Sequence, residues 1–555
     1  MLRFARPALL ALALPLACAA ADPAKVLRVT FQAAETGFDP VKVSDYYSGT
    51  VIEAIFDPLL SYDYLARPAQ LVPNTAAALP QISDQGRTYT FRVRPGIFFT
   101  DDPVFKGARR ELTAQDYAYS IGRFLDPKNH SPYAFLFEGV DRLETPDRFT
   151  LVVRLKKPDL NFSHSLAFSL SGAVAREAIE AYGSDAAAHP VGTGPFRLKR
   201  YTRSSKIVLE ANPGFREVIR GGQRLPRIGG VEISIMEETQ SRWLAFQRGD
   251  TDIEYQLAEV APTFIAADGT LKPEFARRGI RLERSIDPEI TYLYFNMQET
   301  IGGRPNPVGG LARERIALRR AIAMAYRIED QVRIIRKGQA IRAHYPIPPG
   351  VAGHDPEYRS SLAHDPRAAN ALLDKFGYRK GPDGYRRMPN GDPLVVRFSS
   401  SPSERDRQFD ELMMRSLDSI GVRLEIHKDR FPELIKLENQ CRLMMRISAW
   451  IADYPDGDNF MQLLYGPNTG QSNNACYQSA EYDRRYEKSR RLPHGPERDR
   501  LYREMTRLME VHTVWVLADS RYRNVLLQPR VQGFVKHPVL HAEWLYIDLA
   551  PGMGG

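Results

Sequence analysis

The chain has 555 residues, too many for one simple core, since single cores stop growing near ~250–300 residues. Hydrophobic residues make up 43% and charged residues 26%, a balance that excludes a disordered, collagenous or multi-span membrane protein. The net charge is +9 with a pI of about 9.2. Lys and Arg are interleaved with Asp and Glu, without a basic tail or stripe, so the charge reads as solvated surface and no nucleic-acid partner is expected.

Residues 1–21 read MLRFARPALLALALPLACAAA. Arg3 and Arg6 form a basic start. Ala8 to Ala17 is an apolar stretch too short to span a bilayer, and Ala19 and Ala21 occupy small-residue cleavage positions before Asp22. This is the pattern of a secretory signal peptide, so a soluble, exported, periplasmic protein is expected. Cys18 raises lipid anchoring as an alternative. Against it, Pro15 stands where a lipobox wants Leu, and the bulky Leu16 precedes Ala17. Cleavage leaves Cys441 and Cys476. In an oxidising space they either pair, closing one loop, or lie buried separately.

Along the chain, Lys25–Phe31, Thr88–Arg94, Phe149–Leu155 and Lys206–Leu209 read as short alternating strands. Thr113, with Asp116 three residues on, forms a capping box that predicts a helix over Ala114–Phe124. Ile322, Ala325, Ile328, Val332 and Ile335 recur at helical steps, predicting one long helix over Ala312–Arg336. A helix over Asp406–Ile420 is closed by Gly421, and Val422, Leu424 and Ile426 follow as a strand. Leu443–Trp450 reads as a buried strand. Strands alternating with helices predict α/β wiring.

Signatures of catalysis are missing. There is no phosphate loop, no Gly-x-Ser-x-Gly elbow and no His-Glu-x-x-His. Gly192, Thr193, Gly194 and Pro195 lack the third glycine of a dinucleotide fingerprint. The eleven histidines show no metal spacing. No enzyme activity, cofactor or metal is expected. One cluster does suggest binding. Trp450 to Phe460 ends an apolar strand in Asp453, Tyr454, Asp456 and Asp458. A carboxylate flanked by aromatic rings at a strand end suits an ammonium or other cation. The competing reading is a turn whose aspartates cap a helix.

Together these segments resemble the peptide-type solute-binding proteins of ABC importers, bacterial extracellular solute-binding family 5. The resemblance rests on Phe56 to Leu60, Tyr89 to Phe99, Leu112 to Ser120, Gly192 to Phe196, Tyr294 to Met297, Arg319 to Ala323 and the 453–460 cluster, in that order. Asp101 to Arg110 is longer than the family's tight turn. The resemblance implies a periplasmic-binding-protein-like α/β fold, two lobes joined by a hinge with an inserted domain. Its implied boundaries are domain I over 22–60, 191–288 and 512–555, domain II over 61–190 and domain III over 289–511. Strands near Thr291–Asn296 and Val514–Asp519 would form the hinge.

The resemblance also assigns residues. Asp453 would take a peptide's α-ammonium, beside Trp450 and Tyr454. Ala449 to Ile451 would pair main chain to main chain with an extended ligand. Ala33, Ala34 and Glu35 would form the facing wall. For the carboxylate end the pattern fails: Ile447 stands where some oligopeptide binders carry Arg, and Arg446 is one step off. Arg405 and Arg442 are further candidates. The expected function is capture of a di- or oligopeptide by a monomer that delivers it to inner-membrane permease subunits. The alternatives are a receptor for haem, a nickel chelate, a sugar or an opine and, more remotely, an exported hydrolase. Cys441 and Cys476 are expected to form a disulfide tying the binding strand to the helix near Ser479.

Overall fold

The computed structural model describes residues 21–67, 69–159, 161–255 and 257–551. The signal-peptide reading of 1–21 lies, apart from its last residue, outside the described residues. Among these residues the largest sheet has ten strands. In chain order they are β1 (Asp22–Phe31), β2 (Phe196–Thr202), β3 (Lys206–Ala211), β4 (Ile228–Ile235), β5 (Ile253–Glu254), β6 (Arg281–Ile286), β7 (Glu289–Phe295), β8 (Ala340–Arg342), β9 (Met445–Ile451) and β10 (Trp515–Leu527). The path runs β9, β7, β10, β5, β1, β4, β3, β2, with β6 and β8 also pairing along β10. β1 is parallel to β4 and β5.

β10 holds the two halves of this sheet together. Its first residues, Trp515 to Asp519, pair with β7, and Tyr522 to Leu527 pair with β6. β6 and β7 are consecutive, separated by Asp287 and Pro288. Two antiparallel strands therefore cross together from one half to the other, with a register shift between Thr291 and Tyr292. Every residue of β7 is buried. Tyr292 and Tyr294 enter one core while Leu293 and Phe295 enter a second. A strand covered on both faces needs such a continuous apolar run. Tyr292 stacks on Trp515 with ring centroids 3.8 Å apart, and truncating so buried an aromatic typically costs about 3–5 kcal/mol. Two ion pairs, Glu289 with Arg521 and Asp287 with Arg523, stand at the crossing.

A separate antiparallel sheet orders Gln81–Ser83, Thr88–Arg92, Thr150–Leu155 and Val140–Asp147, with Tyr89, Phe91 and Val93 buried. Val395–Ser400 and Arg423–Lys428 form a parallel pair.

Helix ends follow local chemistry. α1 (Tyr46–Ile55) begins where the Asp45 carboxylate accepts the Ser48 N–H at 2.8 Å. α2 (Ala114–Leu125) carries the Thr113–Asp116 capping box. α3 (Arg313–Ala325) is shorter than predicted. Tyr326 turns extended, at ψ 116°, and the chain resumes as Ile328–Asp330 and a wide turn over Gln331–Ile335. The Tyr326 hydroxyl donates to Gln331 Oε1 at 2.7 Å across the break. The apolar period runs through it because Ile322, Ala325, Ile328 and Ile335 all enter the same core. α4 (Glu404–Ser419) is capped by Ser403, and Gly421 takes φ 67° just beyond it. α5 (Phe431–Asn439) follows. Gly192 and Gly194 serve packing: a side chain at either would collide with the Ile55 carbonyl.

Candidate ligand-binding site

Between the two halves lie two adjoining, partly open spaces with overlapping linings. The larger, about 240 Å³, is lined by Ala33, Tyr47, Arg405, Phe431, Arg446, Ala449 and Ile451, among others. The smaller, about 90 Å³, is lined by Tyr133, Phe168, Trp450 and Asp453. Both share Ser44, Asp45, Tyr46, Ala449 and Ile451.

β9 forms one wall. It pairs with β7 along one edge and ends the sheet. Ser448, Ala449 and Ile451 line the space, and Ala449 is exposed. An unpaired strand edge is a template for another extended segment.

Asp453 follows directly and is 8% exposed. Asn459 holds it in place: its amide donates to Asp453 Oδ2 at 2.8 Å, and its carbonyl oxygen accepts the Asp453 N–H at 2.9 Å. The same oxygen accepts from Trp450 Nε1 at 3.0 Å, fixing the indole. From the segment beyond α2, the Tyr133 hydroxyl donates to Asp453 Oδ1 at 3.4 Å. Among the described residues no cation pairs with Asp453. Burial therefore pushes its pKa from 3.8 up to about 7, because desolvation disfavours the charged form. A buried carboxylate without a cation is costly until one arrives.

The other candidates separate. Ala33 lines the larger space. Ala34 and Glu35 do not: Glu35 Oε1 accepts from the Tyr201 hydroxyl at 2.7 Å and the Ser204 N–H at 2.8 Å, which turns it towards β2. Tyr454 also faces away. Its hydroxyl donates to Asp458 Oδ2 at 2.8 Å and its ring stacks on His164. Arg446 reaches the space, but its guanidinium donates to Glu438 Oε2 at 2.5 Å. Arg442 lies in an exposed groove with Arg304 and His427. Arg405 lines the space too, and its Nη1 donates to Gln32 Oε1 at 3.4 Å. Sequence reading missed Tyr133, Phe168, Tyr46, Tyr47 and Ser399, Ser400, Ser401 and Ser403, none of which carries a local signal. Cys441 and Cys476 are bonded, with Cα atoms 6.1 Å apart, inside the span a bridge requires.

A cleft between the two halves of one α/β sheet, with one acidic end and one open strand edge, is the arrangement of a ligand-capturing binding protein. The model of the bacterial extracellular solute-binding proteins, family 5 Middle, matches residues 70–472, and the chain belongs to that family. Di/tripeptide-binding protein 2 of Pseudomonas aeruginosa is 28% identical over 554 residues, covering 94% of this chain and 95% of its own. The glutathione-binding protein GsiB of Salmonella typhimurium is 25% identical over 521 residues, covering 92% and 91%. Among solved structures, the periplasmic binding protein DppA of Helicobacter pylori in complex with the peptide STSA superposes with a TM-score of 0.80 at 21% identity, over 94% of this chain and 98% of its own. That likeness shows a shared fold.

Proposed function

We propose that this protein is the periplasmic capture component of an ABC importer and that its ligand is a di- or oligopeptide. The observation that carries the reading is Asp453, a buried carboxylate that no cation pairs with among the described residues, at the end of an unpaired strand edge. An extended peptide satisfies both features. Its α-ammonium neutralises the carboxylate, and its main chain pairs with Ala449 to Ile451 whatever its side chains. The peptide-binding names of its relatives support the reading. The chain is exported by residues 1–21 and acts as a monomer. Domain I spans 22–60, 191–288 and 512–555, domain II 61–190 and domain III 289–511. The lobes close on the ligand by bending at the crossing strands, and permease subunits receive it unaltered.

Mass spectrometry of what the protein releases after purification from its native periplasm tests this. A mixture of short peptides is expected. A single non-peptide metabolite overturns the peptide reading.

A further inference from the structure

Asp453 accounts for one end of a peptide, and the larger space receives the rest of the chain. A terminal carboxylate read by the site would need a cation there. Among the described residues, the cationic side chains lining that space are Arg336, Arg405, Arg430, Arg446 and Arg521. Four of them face carboxylates of the protein itself. Glu438 pairs with Arg446 at 2.5 Å, Glu289 pairs with Arg521, Asp519 faces Arg336 at 3.4 Å and Asp406 faces Arg405 at 3.3 Å. Asp406 keeps its charge: burial pushes its pKa up, but Arg405 and the Ser401 hydroxyl and N–H hold it below the ordinary carboxylate range. Arg430 is exposed at the rim, where water solvates its charge and weakens any ion pair.

The acids shift the balance further. Asp45, Glu237 and Asp406 belong to the lining, and Glu289, Glu438 and Asp519 stand behind it on the arginines they hold. Six carboxylates therefore stand against five guanidiniums. A ligand carboxylate brought to Arg405 would gain hydrogen bonds, but it would lose hydration and meet the like charge of Asp406 on the same guanidinium. The Asp453 end is the reverse, a buried carboxylate that no cation pairs with among the described residues. The larger space also reaches solvent, since Glu237, Pro402 and Arg430 line it and are exposed.

We propose that the site reads a peptide's free α-ammonium and its first main-chain groups but not its terminal carboxylate. The ligand class is then any peptide with a free amino end, including longer chains and peptides whose last carboxyl is amidated or bonded to another group. Their far end leaves past the exposed rim. This inference rests on the peptide reading above. Main-chain pairing along β9 supports it, because strand addition is blind to where the added chain stops.

Calorimetric titration with alanine peptides of three to six residues tests the inference, each as the free acid, the C-terminal amide and the N-acetylated acid. At every length that binds, the amide is expected to match the free acid within about threefold or to bind tighter. Affinity is expected to hold level or rise with length. The acetylated peptides, which lack the ammonium, are expected to lose roughly a hundredfold or more. An amide more than threefold weaker than its acid shows that a cation reads the carboxylate; it overturns the inference and leaves the peptide reading standing. A sharp maximum at one length does the same for the open far end. An acetylated peptide that binds like the free one takes the ammonium off Asp453 and overturns the inference at its other end. Failure of every peptide to bind overturns the peptide reading itself, and the inference with it.

Discussion

Asp453 shows how a side chain can be held in a costly state that its ligand relieves. Asn459 and Tyr133 orient the carboxylate by neutral hydrogen bonds, and burial makes its charge expensive. The charge–charge attraction is left for the incoming ammonium. Truncation then removes the partner of a buried charge, which typically costs about 3–5 kcal/mol, or roughly two to three and a half decades in affinity. Calorimetry of Asp453→Ala with a peptide that binds the parent protein is expected to show that loss. A change under threefold would mean the ammonium sits elsewhere. Asp453→Asn keeps the shape and the Asn459 contacts, so its loss reports the charge alone.

At the scale of elements, β9 is anchored at both ends. Cys441 precedes it, Asp453 follows it, and the Cys441–Cys476 bond joins its start to the loop before the helix Ala480–Ser489. Closing a loop of 35 residues contributes on the order of 3–4 kcal/mol in the chain-entropy model. Alkylating the denatured, unreduced protein should modify neither thiol, and both should react after reduction. Two modified thiols without reductant would show that each stands alone. Features decided within a few residues were legible beforehand, such as the Thr113–Asp116 box and the Gly421 stop. The end of α3 was not. Tyr326 breaks the helix by a hydrogen bond to Gln331 while the apolar period continues, so periodicity reads one helix where there are two segments. In the site, Asp453, Ala449 and Ala33 could be placed because a motif carried them. Tyr133 could not, lying 320 residues from its partner Asp453. Arg446 was legible as a cation near the cavity, but Glu438 neutralises it from a helix before the strand.

At the scale of the molecule, several contacts join the segment 131–160 to the segment 450–490 without lining the ligand space. Gln471 Oε1 accepts the Phe135 N–H at 3.1 Å, and Arg490 pairs with Asp159 at 2.5 Å. On the proposal that the lobes open and close around the ligand, these contacts would hold the closed state and slow release. A partly buried pair of this kind contributes roughly 1 kcal/mol, about a fivefold change in rate. Stopped-flow measurement of Arg490→Gln should show faster ligand dissociation with little change in association. An unchanged off-rate would show that the pair does not hold the lobes.

Closure itself should depend on pH when no ligand is present. In the arrangement the structure shows, burial raises the Asp453 pKa to about 7, and burial raises that of Asp45, which lines the same space; on the proposed closure this is the closed arrangement. His541, on the same wall, is pushed well below its ordinary range by burial, so it stays neutral. In the open, solvated arrangement both carboxylates return towards ~4. A group whose pKa is raised by closure favours closure fully below the open-state value. It withdraws that support as pH rises through the closed-state value. For Asp453 the difference amounts to roughly 4 kcal/mol. Small-angle scattering without ligand should therefore give a smaller radius of gyration at pH 5 than at pH 8, and saturating peptide at pH 8 should restore the smaller value by supplying the missing cation. Asp453→Asn should weaken the pH response and leave the remainder to Asp45. A radius independent of both pH and ligand, with binding confirmed separately, would show that the lobes do not close on the site.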